Sequence, residues 1–432
     1  MWMQNLAAGY LLLSLCLPSQ TQTRLGLGAD LSKLVILGDS LSAGVQNFAL
    51  LDSQQRNGYG SVIARQANVP LVLPLVPPPG APNVLQLTSL NPPVITPAPG
   101  TLPRIPRDCP CQQPTNIAVP GITLQQALTD RPSPTPPTPV EGWLDIVLGF
   151  PNPLGSALCK TTGPALTEIE MAAALKPTTV IEWLGNNDAL IPALTGALDS
   201  VTPLLDFAIS YDKILDQLQR TGATILTANI PDLTEIPYFI PVRSFAQSVG
   251  LPVGTVTAKL GVTARDYLRL SAQPIALQII SGAMPGPLPA ACPLPISALP
   301  GSGVACVLTA EDASRMRGVV DAYNFIILAE SELHGAYMAD MHRLVDKIYR
   351  HGVQIGTKHL TSAFLGGLFS LDGIHPTNTG YAILANEFIS MLNSELGTDI
   401  PPADLAAIAA TDPLVPPIHL EQTSGLFSSL TK

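Results

Sequence analysis

The chain has 432 residues, of which 46% are hydrophobic and only 12% are charged. That balance supplies material for a large core and excludes intrinsic disorder over most of the chain. The net charge of -10 comes without any cluster of Lys and Arg, which argues against nucleic acid as a partner. The length suits one enlarged α/β domain with insertions, which we expect, or two smaller units.

The first 23 residues are typical of a signal peptide. The segment from Leu6 to Leu17 is apolar, too short to span a bilayer as a helix, and followed by polar residues as far as Thr23. No Lys or Arg precedes it. Cys16 stands where a bacterial lipoprotein carries its lipidated cysteine, although Leu15 replaces the expected small residue. We predict export to the periplasm, cell surface or medium, with membrane attachment only through Cys16; a buried N-terminal helix is the alternative.

Three short apolar segments have the character of buried parallel strands. They run over residues 34–37, 179–184 and 223–228, and each ends abruptly in Gly, Asn or Asp. Helical patterns cover residues 165–175 and 204–220, before the second and third strands, and a further amphipathic helix follows His375. The alternation predicts a parallel sheet covered by helices on both faces.

Prolines and glycines interrupt this rhythm at several places. The chain contains 44 prolines, and residues 70–115 and 131–153 are predicted as extended Pro-rich loops. Residues 237–307 are predicted as an insertion over the sheet that could act as a lid. The tail over residues 401–432 is rich in Ala, Pro and Leu and carries no evident chemistry.

Five cysteines follow Cys16, so at least one of them is expected to be unpaired. Cys292 and Cys306 bracket a Pro- and Gly-rich loop, which a disulfide would close in an oxidising compartment. A second bridge could join Cys159 to Cys109 or to Cys111. We expect no metal site, because Cys109 and Cys111 lack the spacing of zinc ligands and have no neighbouring His.

Polar residues at two predicted strand ends suggest a catalytic site. Ser40 follows the first strand and Asn187 the second, and ligands of parallel α/β sheets bind at the carboxyl ends of strands. A serine hydroxyl needs a positioned base that is itself oriented by a third group. His375 is the favoured base because Asp372 lies three residues before it. The other five histidines are expected to have surface or structural roles.

Four sequence blocks resemble those of the GDSL, or SGNH, hydrolase family and occur in that family's order. They are Gly38-Asp39-Ser40-Leu41-Ser42, Asn116-Ile117-Ala118-Val119-Pro120-Gly121, Gly185-Asn186-Asn187-Asp188 and Asp372-Gly373-Ile374-His375-Pro376. The resemblance covers residues 33–392 apart from the Pro-rich stretches and the insertion. It implies a flavodoxin-like three-layer α/β/α fold with a parallel sheet of about five strands.

The resemblance also implies a role for each site residue. Ser40 would be the nucleophile, His375 the general base and Asp372 the group that orients the imidazole. The backbone N–H groups of Ser40 and Gly121 and the side-chain amide of Asn187 would form the oxyanion hole. Gly121 could instead be an ordinary turn residue, and Asn187 could merely close its turn. No cofactor and no metal ion are implied.

The predicted activity is hydrolysis of a carboxylic ester by a serine esterase or lipase. A polysaccharide O-acetylesterase and a non-catalytic surface binding protein that retains the fold are the alternatives. A two-carboxylate glycosidase using Asp372 and Asp188 ranks lower, because it would leave Ser40 and His375 without a purpose. Asp39 and Asp188 are expected to hold loops, and the buried Glu182 requires a partner.

Overall fold

The structure is a computed structural model and describes residues 28–90, 93–101, 107–109, 111–133, 139–149, 165–292 and 304–418. The predicted signal peptide, Cys16, Cys159 and the end of the C-terminal tail lie outside these residues. Among the helices that are described, none is long and apolar enough to cross a membrane.

The strands are β1 (Leu34–Gly38), β2 (Leu85–Leu90), β3 (Pro93–Pro97), β4 (Thr179–Trp183), β5 (Thr224–Ala228), β6 (Phe239–Pro241), β7 (Tyr267–Arg269), β8 (Ala291–Cys292), β9 (Val304–Ala305), β10 (Val307–Leu308), β11 (Tyr337–Ala339), β12 (Val353–Ile355) and β13 (Lys358–Leu360). The helices are α1 (Ser40–Ala43), α2 (Asp52–Gln55), α3 (Tyr59–Gln66), α4 (Leu124–Thr129), α5 (Pro139–Val147), α6 (Glu168–Ala174), α7 (Asn186–Thr195), α8 (Leu204–Gln219), α9 (Val242–Ser248), α10 (Val253–Leu260), α11 (Gln273–Ser281), α12 (Ala310–Leu333), α13 (Met341–His351), α14 (Asn378–Leu396) and α15 (Leu405–Thr411). Short 3-10 turns cover Leu198–Ser200, Leu233–Glu235 and Leu270–Ala272.

A parallel sheet in the order β1-β4-β5-β11 forms the centre of the fold. Residues 115–119 run along the free edge of β1, where Ile36 and Asn116 form a parallel bridge. The N–H of Ile117 donates to the carbonyl of Ile36 at 2.8 Å, and that of Val119 donates to the carbonyl of Gly38 at 2.8 Å. Within the described residues the central sheet thus has four strands where about five were expected, and this irregular segment occupies the edge where a fifth strand would pair.

Helices cover both faces of the sheet, as the sequence predicts. The alternation within β1 directs Val35 and Leu37 to one core, which includes residues of α4, α6, α8 and α12. Leu34 and Ile36 face the other core, which includes residues of α3 and α14. The three predicted strands and the helices beside them are confirmed, and the architecture is a three-layer α/β/α fold.

The Pro-rich segments differ from the extended loops that were expected. Residues 70–115 contain the antiparallel pair β2–β3, and residues 131–153 contain α5. Leu85 and Leu87 alternate with polar residues along β2 and are buried in a cluster with Leu371 and Leu414. Burial of these leucines against the loop before His375 explains why the segment forms a strand despite its many prolines.

The segment over residues 237–307 has a small core of its own. Strands β6 and β10 flank β7 in an antiparallel sheet, and α9, α10 and α11 supply most of the buried apolar residues. Phe245, Val256 and Leu268 lie at the centre of this cluster. The predicted disulfide between Cys292 and Cys306 is confirmed.

The described part of the C-terminal tail is attached to the main domain. Helix α15 packs on α14, and the carboxylate of Asp412 accepts hydrogen bonds from the N–H and the hydroxyl of Thr379, both at 2.8 Å. Thr379 lies in the first turn of α14, a few residues after His375. The tail therefore supports the helix that follows the predicted catalytic histidine.

Candidate active site

The nucleophile turn joins β1 to α1. Asp39 is the N-cap of α1, and its Oδ1 accepts the N–H of Leu41 at 2.9 Å. Gly38 has a φ of 141°, and a Cβ there would lie 2.4 Å from Oγ of Ser42 and 2.5 Å from the carbonyl oxygen of Trp183. Only glycine fits this position, and the turn leaves Ser40 partly exposed at the carboxyl edge of the sheet.

Ser40, His375 and Asp372 form one continuous chain of hydrogen bonds. Nε2 of His375 lies 2.8 Å from Oγ of Ser40, and Nδ1 of His375 lies 2.8 Å from Oδ2 of Asp372. The structure thus brings together side chains that are 335 residues apart in the sequence. This geometry matches that of a serine hydroxyl, a base and an orienting carboxylate.

The carboxylate of Asp372 accepts four hydrogen bonds. Besides the imidazole of His375, Oδ2 accepts the N–H of Phe48 at 2.6 Å, while Oδ1 accepts the N–H groups of Ile374 and His375, each at 2.8 Å. Burial by itself raises the pKa of Asp372, but the charge of His375 and the hydrogen bonds from His375 and Ile374 outweigh it, so the pKa is lowered. Asp372 therefore stays ionised and can stabilise a positively charged imidazole.

The predicted oxyanion donors converge on one loop. Gly121 has a φ of 77°, a left-handed conformation that favours glycine. Nδ2 of Asn187 donates to the carbonyl oxygen of Ile122 at 3.0 Å, which ties Asn187 to the residue after Gly121. An amide nitrogen carries two hydrogens, so one remains to donate to a ligand. Within the described residues, the backbone N–H groups of Ser40 and Gly121 have no acceptor.

Asp39 and Asp188 border the site but support its loops, as expected. Oδ2 of Asp39 accepts from the side-chain amide of Asn186 at 2.9 Å. Asp188 accepts the N–H of Leu124 at 3.1 Å and the hydroxyl of Thr202 at 2.7 Å. Burial raises the pKa of both carboxyls to about 6, against the opposing effect of these hydrogen bonds. Both acids connect the nucleophile and oxyanion loops to the neighbouring structure.

Two further buried carboxyl groups lie beneath the site. Oε1 of Glu168 accepts the N–H of Gly38 at 2.7 Å, in the nucleophile turn. Glu182 has the partner that the sequence left unidentified: its carboxyl accepts from the N–H of Leu184 and the hydroxyl of Tyr211, both at 2.9 Å. Sequence reasoning missed Glu168, because nothing in an ordinary helical segment marks one glutamate as a partner of a distant turn.

A loop at residues 46–50 holds the segment that carries Asp372, and sequence reasoning missed it as well. The N–H of Asn47 donates to Oγ of Ser370 at 2.9 Å, and Oδ1 of Asn47 accepts the N–H of Leu371 at 2.9 Å. Asn47 and Phe48 have φ values of 50° and 59°. Asn tolerates this conformation, which is the only signal that the sequence offered.

Ser42 and the other described histidines lie outside the hydrogen-bond chain of the site. The hydroxyl of Ser42 lies 2.7 Å from that of Tyr59, in the protein interior. Nε2 of His334 lies 3.0 Å from Oδ1 of Asp212, and Nδ1 of His342 lies 2.9 Å from the carbonyl oxygen of Ile230. His351 and His359 are exposed, and His419 lies outside the described residues.

The described cysteines agree with the predicted pattern. Cys292 and Cys306 are bridged, Cys111 is disulfide-bonded, and Cys109 is an exposed free thiol. Among the described cysteines, Cys109 is therefore the unpaired one that the odd number predicts, while Cys159, the predicted partner of a second bridge, lies outside the described residues.

Comparison with known proteins yields distant structural likenesses only. No protein-family model matches the chain, and no curated protein sequence matches it. Among solved structures, the chain is similar to LAE5, an alpha/beta hydrolase enzyme from the metagenome of Lake Arreo, Spain, with 15% identity, 85% of this chain and 97% of that chain covered, and a TM-score of 0.37.

Two other solved structures lie at a similar distance. The acetylxylan esterase Axe2 of Geobacillus stearothermophilus shows 10% identity over 85% of this chain and 96% of its own, with a TM-score of 0.37. Phospholipase A1 of Streptomyces albidoflavus NA297 shows 12% identity over 84% of this chain and 99% of its own, with a TM-score of 0.35. Likenesses this distant do not assign a substrate.

Proposed function

We propose that the protein is a serine hydrolase of the GDSL/SGNH type that cleaves carboxylic esters through an acyl-enzyme on Ser40. The observation that carries this proposal is the unbroken hydrogen-bond chain from Ser40 through His375 to Asp372. A hydroxyl joined in this way to an imidazole can lose its proton as it attacks a carbonyl carbon.

The residues have defined tasks in this reaction. Oγ of Ser40 forms a bond to the ester carbon while its proton passes to Nε2 of His375, and the carbonyl oxygen becomes negatively charged. The N–H groups of Ser40 and Gly121 and the free amide hydrogen of Asn187 would donate to that oxygen. His375 then returns the proton to the departing alkoxide, and the acyl group remains on Ser40.

Water completes the cycle by the same route. His375 takes a proton from water as the water oxygen attacks the acyl carbon, and it returns that proton to Oγ of Ser40 as the carboxylic acid leaves. Asp372 stays ionised in both halves, because its oxygens accept four hydrogen bonds. The charged imidazole is thereby stabilised each time it forms.

The same contacts speak against a two-carboxylate glycosidase. Asp372 is committed to His375 and to three backbone N–H groups, and Asp188 is committed to Leu124 and Thr202. A glycosidase needs two carboxyl groups that face a substrate from either side of the scissile bond. Ser40, in contrast, is partly exposed with its base in place.

The test uses p-nitrophenyl esters of increasing acyl length with the wild type and Ser40→Ala, and fluorophosphonate labelling of both. We expect the wild type to turn over esters and to be labelled, and the variant to do neither. The variant Ser42→Ala is the control, because the hydroxyl of Ser42 is close to Ser40 in the sequence but forms its hydrogen bond with the hydroxyl of Tyr59. A wild type that is neither labelled nor active would favour the binding-protein alternative.

We also propose that the protein acts outside the cytoplasm. The apolar segment over residues 6–17 and the disulfide between Cys292 and Cys306 both support an exported protein. The N-terminal sequence of the protein recovered from the producing cell tests this proposal. Export with cleavage predicts a start beyond about residue 23, whereas an intact Met1 in the mature protein would contradict it.

A further inference from the structure

An apolar cavity of about 70 Å³ is lined in part by residues next in sequence to Ser40 and His375. Leu41, which follows Ser40, lines it, and so do Ile374 and Pro376, which flank His375. Trp183, at the end of β4, contributes to the lining as well. The cavity therefore shares its lining segments with the two residues that would carry out the reaction.

Two helices supply a second wall. Val345 and Ile348 come from α13, and Ile383 and Leu384 come from α14. All the lining residues are apolar, and the indole N–H of Trp183 is already bonded to the carbonyl oxygen of Asn229. A cavity with such a lining has no groups to hold water and suits a hydrocarbon chain.

The oxyanion donors lie outside this cavity. Neither Gly121 nor Asn187 is among the residues that line it, although both belong to the site. An ester bound with its carbonyl oxygen toward Gly121 and Asn187 must direct its acyl chain elsewhere. The apolar space beside Leu41 and Ile374 offers that chain a place away from water.

The size of the cavity limits the length of the chain. An apolar cavity of about 150 Å³ can hold a benzene ring, with its six carbons. A cavity of about 70 Å³ therefore has room for about three carbons. Together with the carbonyl carbon, this corresponds to an acyl group of about four carbons.

We propose that this cavity is the acyl-chain site. It selects esters whose acyl group is about as long as butanoate over acetate esters and over esters of long-chain acids. The proposal rests on the proposed ester hydrolysis at Ser40. It assigns a substrate class to the site, namely esters with a short, uncharged acyl group. It also assigns a selective role to side chains of α13 and α14 that lie outside the four family-like blocks.

Variants that change the cavity in opposite directions provide the test. We expect kcat/KM of the wild type to be highest with p-nitrophenyl butanoate. Leu384→Ala should enlarge the cavity and raise the hexanoate-to-butanoate ratio of kcat/KM by about tenfold. The reason is that one methylene group more or less in an apolar pocket changes kcat/KM by about 10-fold to 200-fold. Val345→Phe should fill the cavity and lower the butanoate-to-acetate ratio by a similar factor.

The matched control is Leu392→Ala. Leu392 and Leu384 are buried on the same helix, α14, and belong to the same core cluster, but only Leu384 lines the cavity. Leu392→Ala should lose stability to a comparable extent and keep the chain-length profile of the wild type. A second series, acetate esters of alcohols of increasing length, distinguishes the acyl part of the substrate from the alcohol part.

The outcomes separate this proposal from the one on which it rests. If Ser40 is labelled by fluorophosphonate and esters are hydrolysed, but Leu384→Ala and Leu392→Ala share the wild-type profile, the cavity is not the acyl site. A change confined to the alcohol series would likewise overturn it. A wild type that is neither labelled nor active would overturn the ester-hydrolase proposal, and the acyl site with it.

Discussion

The backbone N–H of Phe48 lies 2.6 Å from Oδ2 of Asp372, the oxygen that also accepts the imidazole of His375. Phe48 belongs to a loop that comes directly after the nucleophile helix, whereas Asp372 belongs to a loop more than 300 residues later. The contact fixes the carboxylate against the segment that carries the nucleophile. The relative position of Ser40 and His375 therefore depends on a backbone contact and on their own hydrogen bond.

Replacement of Asp372 by Asn should impair turnover. An amide can accept the imidazole N–H with its oxygen, but its NH2 group then faces the backbone N–H groups of Ile374 and His375, which are donors. It also lacks the charge that stabilises a protonated imidazole. We expect kcat to fall on the order of 10³-fold to 10⁴-fold, with a small change in KM.

Steady-state kinetics on one ester checks this prediction, and Asp412→Asn is its control. Asp412 is a buried carboxylate that holds Thr379 near the start of α14, away from the catalytic chain of hydrogen bonds. Its replacement should lower stability while kcat changes much less. A kcat for Asp372→Asn within tenfold of the wild type would show that the carboxylate is dispensable.

Asn47→Ala should weaken the loop that holds Asp372. The variant leaves the N–H of Leu371 without its acceptor and places Ala at a φ of 50°. A buried donor left unsatisfied costs about 1–3 kcal/mol of the free energy of unfolding. We expect that loss in urea unfolding, together with a decrease in kcat that exceeds the change in KM.

Asn68→Ala separates the two causes. Asn68 has a similar φ of 53° but is exposed, at the C-terminal side of α3. This variant should show only the cost of a non-glycine, non-asparagine residue in the left-handed region. If both variants lose the same free energy and both retain kcat, the role assigned to Asn47 is wrong.

The sequence predicted the central part of this fold well, because the strands and helices around Ser40 and Asn187 have strong local signals. Apolar runs with β-branched residues gave β1, β4 and β5, and spacings of three and four gave α14. The short β11, with three residues, is set by pairing with β5 and carries no such pattern. The strand β2 formed because Leu85 and Leu87 are buried against a distant loop, which local composition cannot reveal.

The sequence identified the proposed catalytic residues for a reason that does not apply to the residues that support them. Ser40, Asp372 and His375 stand in short motifs whose chemistry restricts the residue types. Phe48 acts through its backbone N–H, which any residue but proline possesses. Glu168 reaches Gly38 across 130 residues, and no spacing rule relates the two. Contacts of this kind depend on tertiary structure alone.

The cysteines make a prediction about thiol labelling. Under denaturing, non-reducing conditions, Cys109 should react with a maleimide, whereas Cys292 and Cys306 should react only after reduction. Mass spectrometry of the labelled peptides identifies each site. Labelling of Cys292 or Cys306 before reduction would contradict the bridge.

The bridge should also contribute to stability. The double variant Cys292→Ala and Cys306→Ala should destabilise the segment over residues 237–307 by about 3 kcal/mol, the loop-closure cost for about 15 residues.

Glu182 makes stability depend on pH in a direction that can be worked out. Burial raises the pKa of its carboxyl to about 8, although the hydroxyl of Tyr211 and the N–H of Leu184 lower it and nearby Asp39 raises it further. In the unfolded chain a glutamate has a pKa of about 4.3. Between these two values, unfolding releases a proton from Glu182. Stability contributed by this group is therefore present at low pH and declines as the pH rises toward about 8.

Glu182→Gln should remove this decline. Glutamine keeps an oxygen for the N–H of Leu184 and a polar group for Tyr211, but it cannot ionise. From pH 5 to 8, the free energy of unfolding of the variant should gain on that of the wild type by at most about 1.4 kcal/mol per pH unit. Urea unfolding across this range measures the difference.

The exposed Glu395 of α14 is the control, since Glu395→Gln should follow the wild type at every pH. Parallel curves for Glu182→Gln and the wild type would mean that Glu182 is ionised in the folded protein. Groups other than Leu184 and Tyr211 would then have to stabilise the buried negative charge.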